Sequence, residues 1–198
     1  DAETRRLLER LVPPPYSPPL LYLEIAKNRE VARCFAEGPI AGHRGLLHTG
    51  QITAADRELC ILRVTARRGA AHEWGVHVAY FGRSSGLTPS QVKATAAPDA
   101  EPDPRWSARQ RAILAIADAV ADCRGLTGAE EEGIQGSLTE SERTEFVTLA
   151  SLYLAIAAMC IVFRVPIQPG TPALPRAAPG RDQADPGTTG GDVEIIPA

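Results

Sequence analysis

The stretch AAHEWGVH, Ala70 to His77, places two histidines and a glutamate within six residues. That density of proton-carrying and ligating groups raises two chemistries, metal binding and acid–base work. The metalloprotease pattern H-E-x-x-H sets its histidines one turn apart on one helical face. Here the order is H-E-x-x-x-H. Five residues rotate a helix by roughly 500°, leaving His72 and His77 about 140° apart and unable to grip one ion from a single face. No metal site is expected. Glu73 and His77, by contrast, stand at i and i+4, where helical side chains meet. The plain reading of that pair is an exposed ion pair worth about 0.3–0.5 kcal/mol. Trp74, Tyr80 and Phe81 surround it with aromatic bulk, and a carboxylate held between such walls has far more at stake. His72, roughly 100° from Glu73 around the axis, is expected at the surface or an interface.

Other chemistries find less support. Cys34, Cys60, Cys123 and Cys160 contain no C-x-x-C pair and read as reduced core cysteines. Gly82 and Gly86 do not form a phosphate loop, and no Ser-His-Asp set can be read from residue order. His43 and His48 are placed by pattern on a helix over 29–48 and are left open as cavity residues. Tyr153, in an apolar helix, needs a hydroxyl partner and is either a core residue or a pocket residue.

The net charge of -3 comes without a run of Lys or Arg, which argues against nucleic acid as a partner. Phe146 to Phe163 is uncharged and about as long as the shortest spanning helix. It is rich in Ala, Ser and Thr and follows the acidic ESERTE run, so it reads as a buried helix of a soluble bundle, with no membrane partner. The N-terminal DAETRRLLER lacks the apolar core of a signal peptide, and cytoplasmic localisation is the expectation.

These groups must be positioned by helices. Thr53 with Asp56, Ser107 with Gln110 and Thr139 with Glu142 pair a hydroxyl cap with a side chain three residues on, and Thr88-Pro89 sets a cap before a first-turn proline. The pattern predicts helices over 20–28, 29–48, 53–68, 70–85, 88–96, 107–124, 127–137 and 139–165, with no convincing strand. The domain is all-α. Residues 1–17 read as an N-terminal arm, 18–167 as the helical domain, and 168–198, rich in Pro and Gly, as a tail outside the core. Val193 to Ile196 is the one apolar cluster in that tail.

The run RELCILRVTARRGAAHEWGVHVAYFGRSSGLTPSQVKA, Arg57 to Ala94, resembles the carboxymuconolactone decarboxylase family, which includes the alkylhydroperoxidase D-like proteins. The likeness extends more weakly over most of 18–165 and implies an alkylhydroperoxidase D-like helical bundle. In the peroxidase branch the corresponding helix carries C-x-x-C-x-x-x-H with a glutamate twelve residues upstream. On this chain those positions fall on Ala70, Glu73, His77 and Glu58. Both thiols are absent, so this region cannot run that branch's thiol–disulfide exchange.

The resemblance therefore implies a cofactor-independent acid–base enzyme of the long E-W-x-x-H type. It would catalyse decarboxylation, isomerisation or a related proton-transfer rearrangement of a small carbonyl or carboxylate compound, in a setting such as secondary metabolism. His77 would carry the proton near neutrality, Glu73 would orient it or act as the second acid–base group, and Glu58 would be an auxiliary carboxylate. Trp74, Tyr80, Phe81 and Tyr153 would line the substrate pocket. The alternatives are a peroxide-handling protein using a thiol elsewhere and a non-catalytic binding protein. The family also implies a homo-oligomer: a dimer, trimer or hexamer.

Overall fold

A computed structural model of the chain describes residues 2–38, 42, 45–97 and 103–175. Among them are ten helices and no strand: α1 Ala2–Leu11, α2 Leu20–Ile25, α3 Arg29–Glu37, α4 Leu46–Thr49, α5 Ala54–Arg67, α6 Ala71–Phe81, α7 Pro89–Ala94, α8 Ala108–Ala121, α9 Gly128–Gln135 and α10 Glu140–Val162. The caps behave as their residue types dictate. Thr88, Ser107 and Thr139 accept from the backbone three residues on, and Gln91, Gln110 and Glu142 reach back, as does Glu130 to Thr127. Thr53 caps α5 in the same way, but Asp56 does not reciprocate, and its carboxylate binds Arg109 instead.

The centre of the domain is α5, which packs against α6, α8 and α10. Because it is covered on so many sides, Glu58 through Thr65 are all buried. Leu59 and Leu62 meet Ile113 and Ile116 of α8 and Phe146 and Leu149 of α10 in a single hydrophobic core. Polar groups on such a helix must find partners. Arg63 does so with a two-pronged bond to Asp118 at 2.6 and 3.0 Å and with the carbonyls of Thr95 and Ala97.

A tight reversal joins α5 to α6. Gly69 takes φ +70°, its N–H donates to Ala66 and that of Ala70 donates to Thr65. This closed helix end favours glycine because a Cβ strains the left-handed region. The connection brings α6 back along α5, which is what allows residues 58 and 77 to meet.

Four expectations are corrected. The helix over 29–48 is two helices, since Gly38 is extended at φ -67°, ψ 158° and precedes Pro39, which disfavours a helical conformation in the residue before it. The N-terminal arm carries α1, with Leu7 buried in the core cluster. Cys34 and Cys123 are exposed, and only Cys60 and Cys160 are buried. Helix α10 buries Phe146, Leu149, Tyr153 and Ile156 along one side and leaves Val147, Ile161 and Val162 exposed, so it is not covered all round.

The first residues after α10 also do more than their composition suggests. The Pro166 carbonyl accepts from His72 Nδ1 at 2.7 Å, Gln168 Oε1 accepts from the Leu20 N–H at 3.0 Å, and Leu174 packs against the core. This segment lies so close to α6 that a Cβ on Gly75 would sit 2.7 Å from the Pro172 oxygen and 2.9 Å from Thr171 Oγ1. Gly75→Ala is therefore expected to cost about 1–3 kcal/mol of stability, read by thermal melting, and to expose residues 166–174 to limited proteolysis. An unchanged melting temperature with unchanged cleavage would show that the segment does not hold to α6. Val193 to Ile196 lies outside the described residues.

Candidate functional site

His77 sits on the face of α6 turned toward α5, with its ring 6% exposed by residue. Its Nδ1 is 2.7 Å from Glu58 Oε2, a short, charge-assisted bond. On its other side Nε2 is 3.4 Å from Glu73 Oε1. The imidazole is thus held between two carboxylates, both buried. Phe81 and Tyr153 pack against its ring with centroids 5.1 Å away, Tyr153 edge-on at 84°.

Burial of the ring works against its charged form, but Glu58, by charge and hydrogen bond, and then Glu73 outweigh this and raise the pKa of His77 to about 9. At neutral pH His77 is an imidazolium, not the half-titrated group expected from the sequence. The roles of the glutamates also change in weight. Glu58 is the tight partner that fixes the ring. Glu73, at the longer contact, faces the reactive nitrogen.

A cavity of about 520 Å³ opens beside this set, and Glu58, Glu73, His77 and Tyr153 all line it. Its volume falls within the roughly 300–1,000 Å³ typical of small-molecule sites. Tyr80 and Phe81 lie on its wall and are partly exposed, as suits residues at a mouth. Much of the opposite wall comes from residues 11–22, including Tyr16 and Tyr22, so the N-terminal arm is part of the site. Burial, followed by the charge of Glu73, raises the pKa of the Tyr22 phenol, and burial does the same at Tyr153. Both therefore present neutral hydroxyls.

The remaining candidates separate cleanly. Trp74 does not reach the cavity. Its Nε1 donates to Thr95 Oγ1 at 3.2 Å on the side facing α7, and it is a core residue that happens to adjoin Glu73 in sequence. His48 lines the cavity, whereas His43 lies outside the described residues. His72 is buried, not superficial, and points at Pro166 while His77 points at Glu58, so the two rings diverge as their spacing requires. Because a carbonyl can only accept, the His72 proton sits on Nδ1, and its buried Nε2 has no hydrogen-bond partner among the described residues.

Arg57, like Tyr22, lines the cavity without a mark in the sequence pattern. Its Nε lies 3.4 Å from Glu58 Oε1 and its Nη1 donates to the Leu47 carbonyl at 3.2 Å. Arg57 adjoins Glu58 in the chain, but nothing in sequence shows which side of α5 opens onto a cavity.

No family model matches the chain, and no curated protein matches it in sequence. In three dimensions it is similar to the crystal structure of a protein of unknown function from Agrobacterium tumefaciens, described there as a candidate antioxidant defence protein AhpD. The TM-score is 0.56 and the identity 18%, over 62% of this chain and 83% of that one. The chain has the alkylhydroperoxidase D-like all-α fold.

Proposed function

We propose that this protein is a cofactor-independent acid–base enzyme of carboxymuconolactone decarboxylase type. The observation that carries the reading is the buried Glu58–His77–Glu73 set, with the ring fixed at Nδ1 and Nε2 facing both Glu73 and the cavity. In that geometry Glu73 accepts a proton from carbon next to a substrate carbonyl. The C–H electron pair moves into the carbonyl, and the resulting oxyanion is stabilised by the His77 Nε2–H. Return of the proton to a different carbon gives isomerisation. If carbon dioxide leaves instead, the C–C electron pair takes the same path into the carbonyl, and a proton is then delivered to carbon. Glu58 holds the ring, as an orienting carboxylate does.

Thiol-based peroxide handling is the rival reading, favoured by the description of the structural neighbour. No cysteine lines the cavity. Burial pushes the Cys60 and Cys160 thiols up to about 12, which withholds the thiolate that such chemistry needs. The discriminating experiment incubates the protein in D₂O with β-keto and vinylogous keto acids and follows deuterium incorporation and carbon dioxide release by NMR. A parallel sample is treated with peroxide and examined for sulfenic acid. Enzyme-dependent exchange is expected. Absence of exchange across the panel, together with stoichiometric oxidation of Cys34 or Cys123, would replace this reading by the rival.

Copies of the chain are further proposed to associate over the outer face of α10, where Val147, Ile161, Val162 and Phe163 are exposed and uncharged. Val162→Glu should then give a smaller species in sedimentation. A wild type that sediments as a monomer would refute the proposal.

A further inference from the structure

The cavity can be read for the kind of molecule that fits it. Its charged groups do not share the same capacity for a ligand. Glu58 is already bonded to His77 and approached by Arg57, and the two cations offset its charge. His77 holds its proton and lies between its two carboxylates. Arg57 is different: its side chain is 27% exposed, and only Nε and Nη1 are engaged among the described residues. A guanidinium presents five N–H donors in a planar fork suited to a carboxylate, so part of that fork remains available on the cavity wall. His48, next to Leu47, which Arg57 holds, shares this end of the cavity.

The rest of the wall is apolar and aromatic. Tyr16, Tyr22, Tyr80, Phe81 and Tyr153 contribute rings, and Leu11, Pro13 and Val76 fill between them. Such surfaces favour a flat, apolar body, and 520 Å³ exceeds the need of a single small acid. A cationic ligand is disfavoured, because the two carboxylates it would seek are already matched by Arg57 and His77.

We infer that Arg57 anchors the acid group of a substrate whose body is aromatic and of fused-ring size. The anchored end lies beside the Glu58–His77 pair, and the body runs along the tyrosine wall supplied in part by the N-terminal arm. This inference rests on the proposed acid–base reading for its direction, since the anchor places the substrate's carbonyl next to Glu73. Arg57 is a specificity residue here, not a proton carrier.

The test measures binding to the full-length chain by titration calorimetry, with 2-naphthoate as the probe and 2-naphthamide as its neutral counterpart. The acid should bind wild type about tenfold to a hundredfold more tightly than the amide, the usual worth of a hydrogen bond to a charged group. Arg57→Gln should bring the acid down to the level of the amide, and Arg57→Lys should recover part of the difference. An unchanged His77 NMR titration in Arg57→Gln separates loss of the anchor from a disturbed Glu58. Equal binding of acid and amide, no binding of either, or an acid affinity indifferent to Arg57→Gln would each overturn the inference. Because binding is read without turnover, those results leave the acid–base role of His77 standing. Arg57-dependent binding in a protein whose His77 proves inert would separate the two in the opposite sense.

Discussion

His77→Gln is expected to remove about two to three orders of magnitude of turnover, the usual worth of a donor to a developing oxyanion, while leaving the helical fold intact. The substitution keeps a polar side chain of similar reach in the space between Glu58 and Glu73 but deletes the exchangeable charge. Wild-type activity should fall as pH rises through about 9, where the imidazolium that stabilises the developing oxyanion loses its proton. In His77→Gln that alkaline limb should vanish, because no group remains to produce it. Adding Glu73→Gln to the histidine variant should cost little more, since groups acting as a unit are not additive. Steady-state kinetics across pH 6–10 reads all three outcomes, and comparable turnover in wild type and His77→Gln would remove His77 from the reaction.

Glu58→Gln is expected to lower stability within a defined pH window. The Glu58 carboxylate is buried at 2.7 Å from His77 Nδ1, and it is the first of the two carboxylates in raising the ring's pKa. A group whose folded pKa lies above its unfolded value contributes stability that is fully present below the unfolded value and lost as pH rises through the folded one. For His77 that window runs from about 6.5 to about 9. Losing one buried partner is costly because the remaining charge stays uncompensated. Here the cost is capped, since the imidazole can shed its proton and Glu73 remains nearby. Glu58→Gln should therefore destabilise the protein by on the order of 2 kcal/mol near pH 6 and by progressively less toward pH 9. Denaturant melts at several pH values check this. A deficit that stays flat from pH 6 to 9 would mean that Glu58 acts chiefly through Arg57, whose charge does not change in that range, and not through the imidazole.

Much of the helical frame could be read from the chain because cap chemistry is local. Thr88, Ser107, Thr127 and Thr139 need only their own neighbours to close a capping box, and Gly69 needs only its own φ to end α5. The i,i+4 relation of Glu73 and His77 is equally local, and their contact is present. What local pattern could not give was orientation. Trp74 lies one residue from Glu73 yet faces Thr95 across the core, because which arc of α6 meets α5 is decided by packing. The same limit hid Arg57 and Tyr22, which become site residues only when α5, α2 and the arm are brought together around the cavity. The break after Glu37 has a local cause in Gly38-Pro39, where the residue before proline is extended. His72 looked superficial because its partner, Pro166, lies 94 residues away.

The most direct test is the NMR titration of the His77 ring in the intact protein, with Glu58→Gln and Glu73→Gln beside it. If the ring is buried between the Glu58 and Glu73 carboxylates, it should titrate near 9 in wild type. It should move downward in both variants, further for Glu58→Gln, and its Nδ1 proton should be protected from exchange. A ring that titrates at or below the ordinary histidine value near 6.5, or that is indifferent to both glutamates, would contradict the site as described.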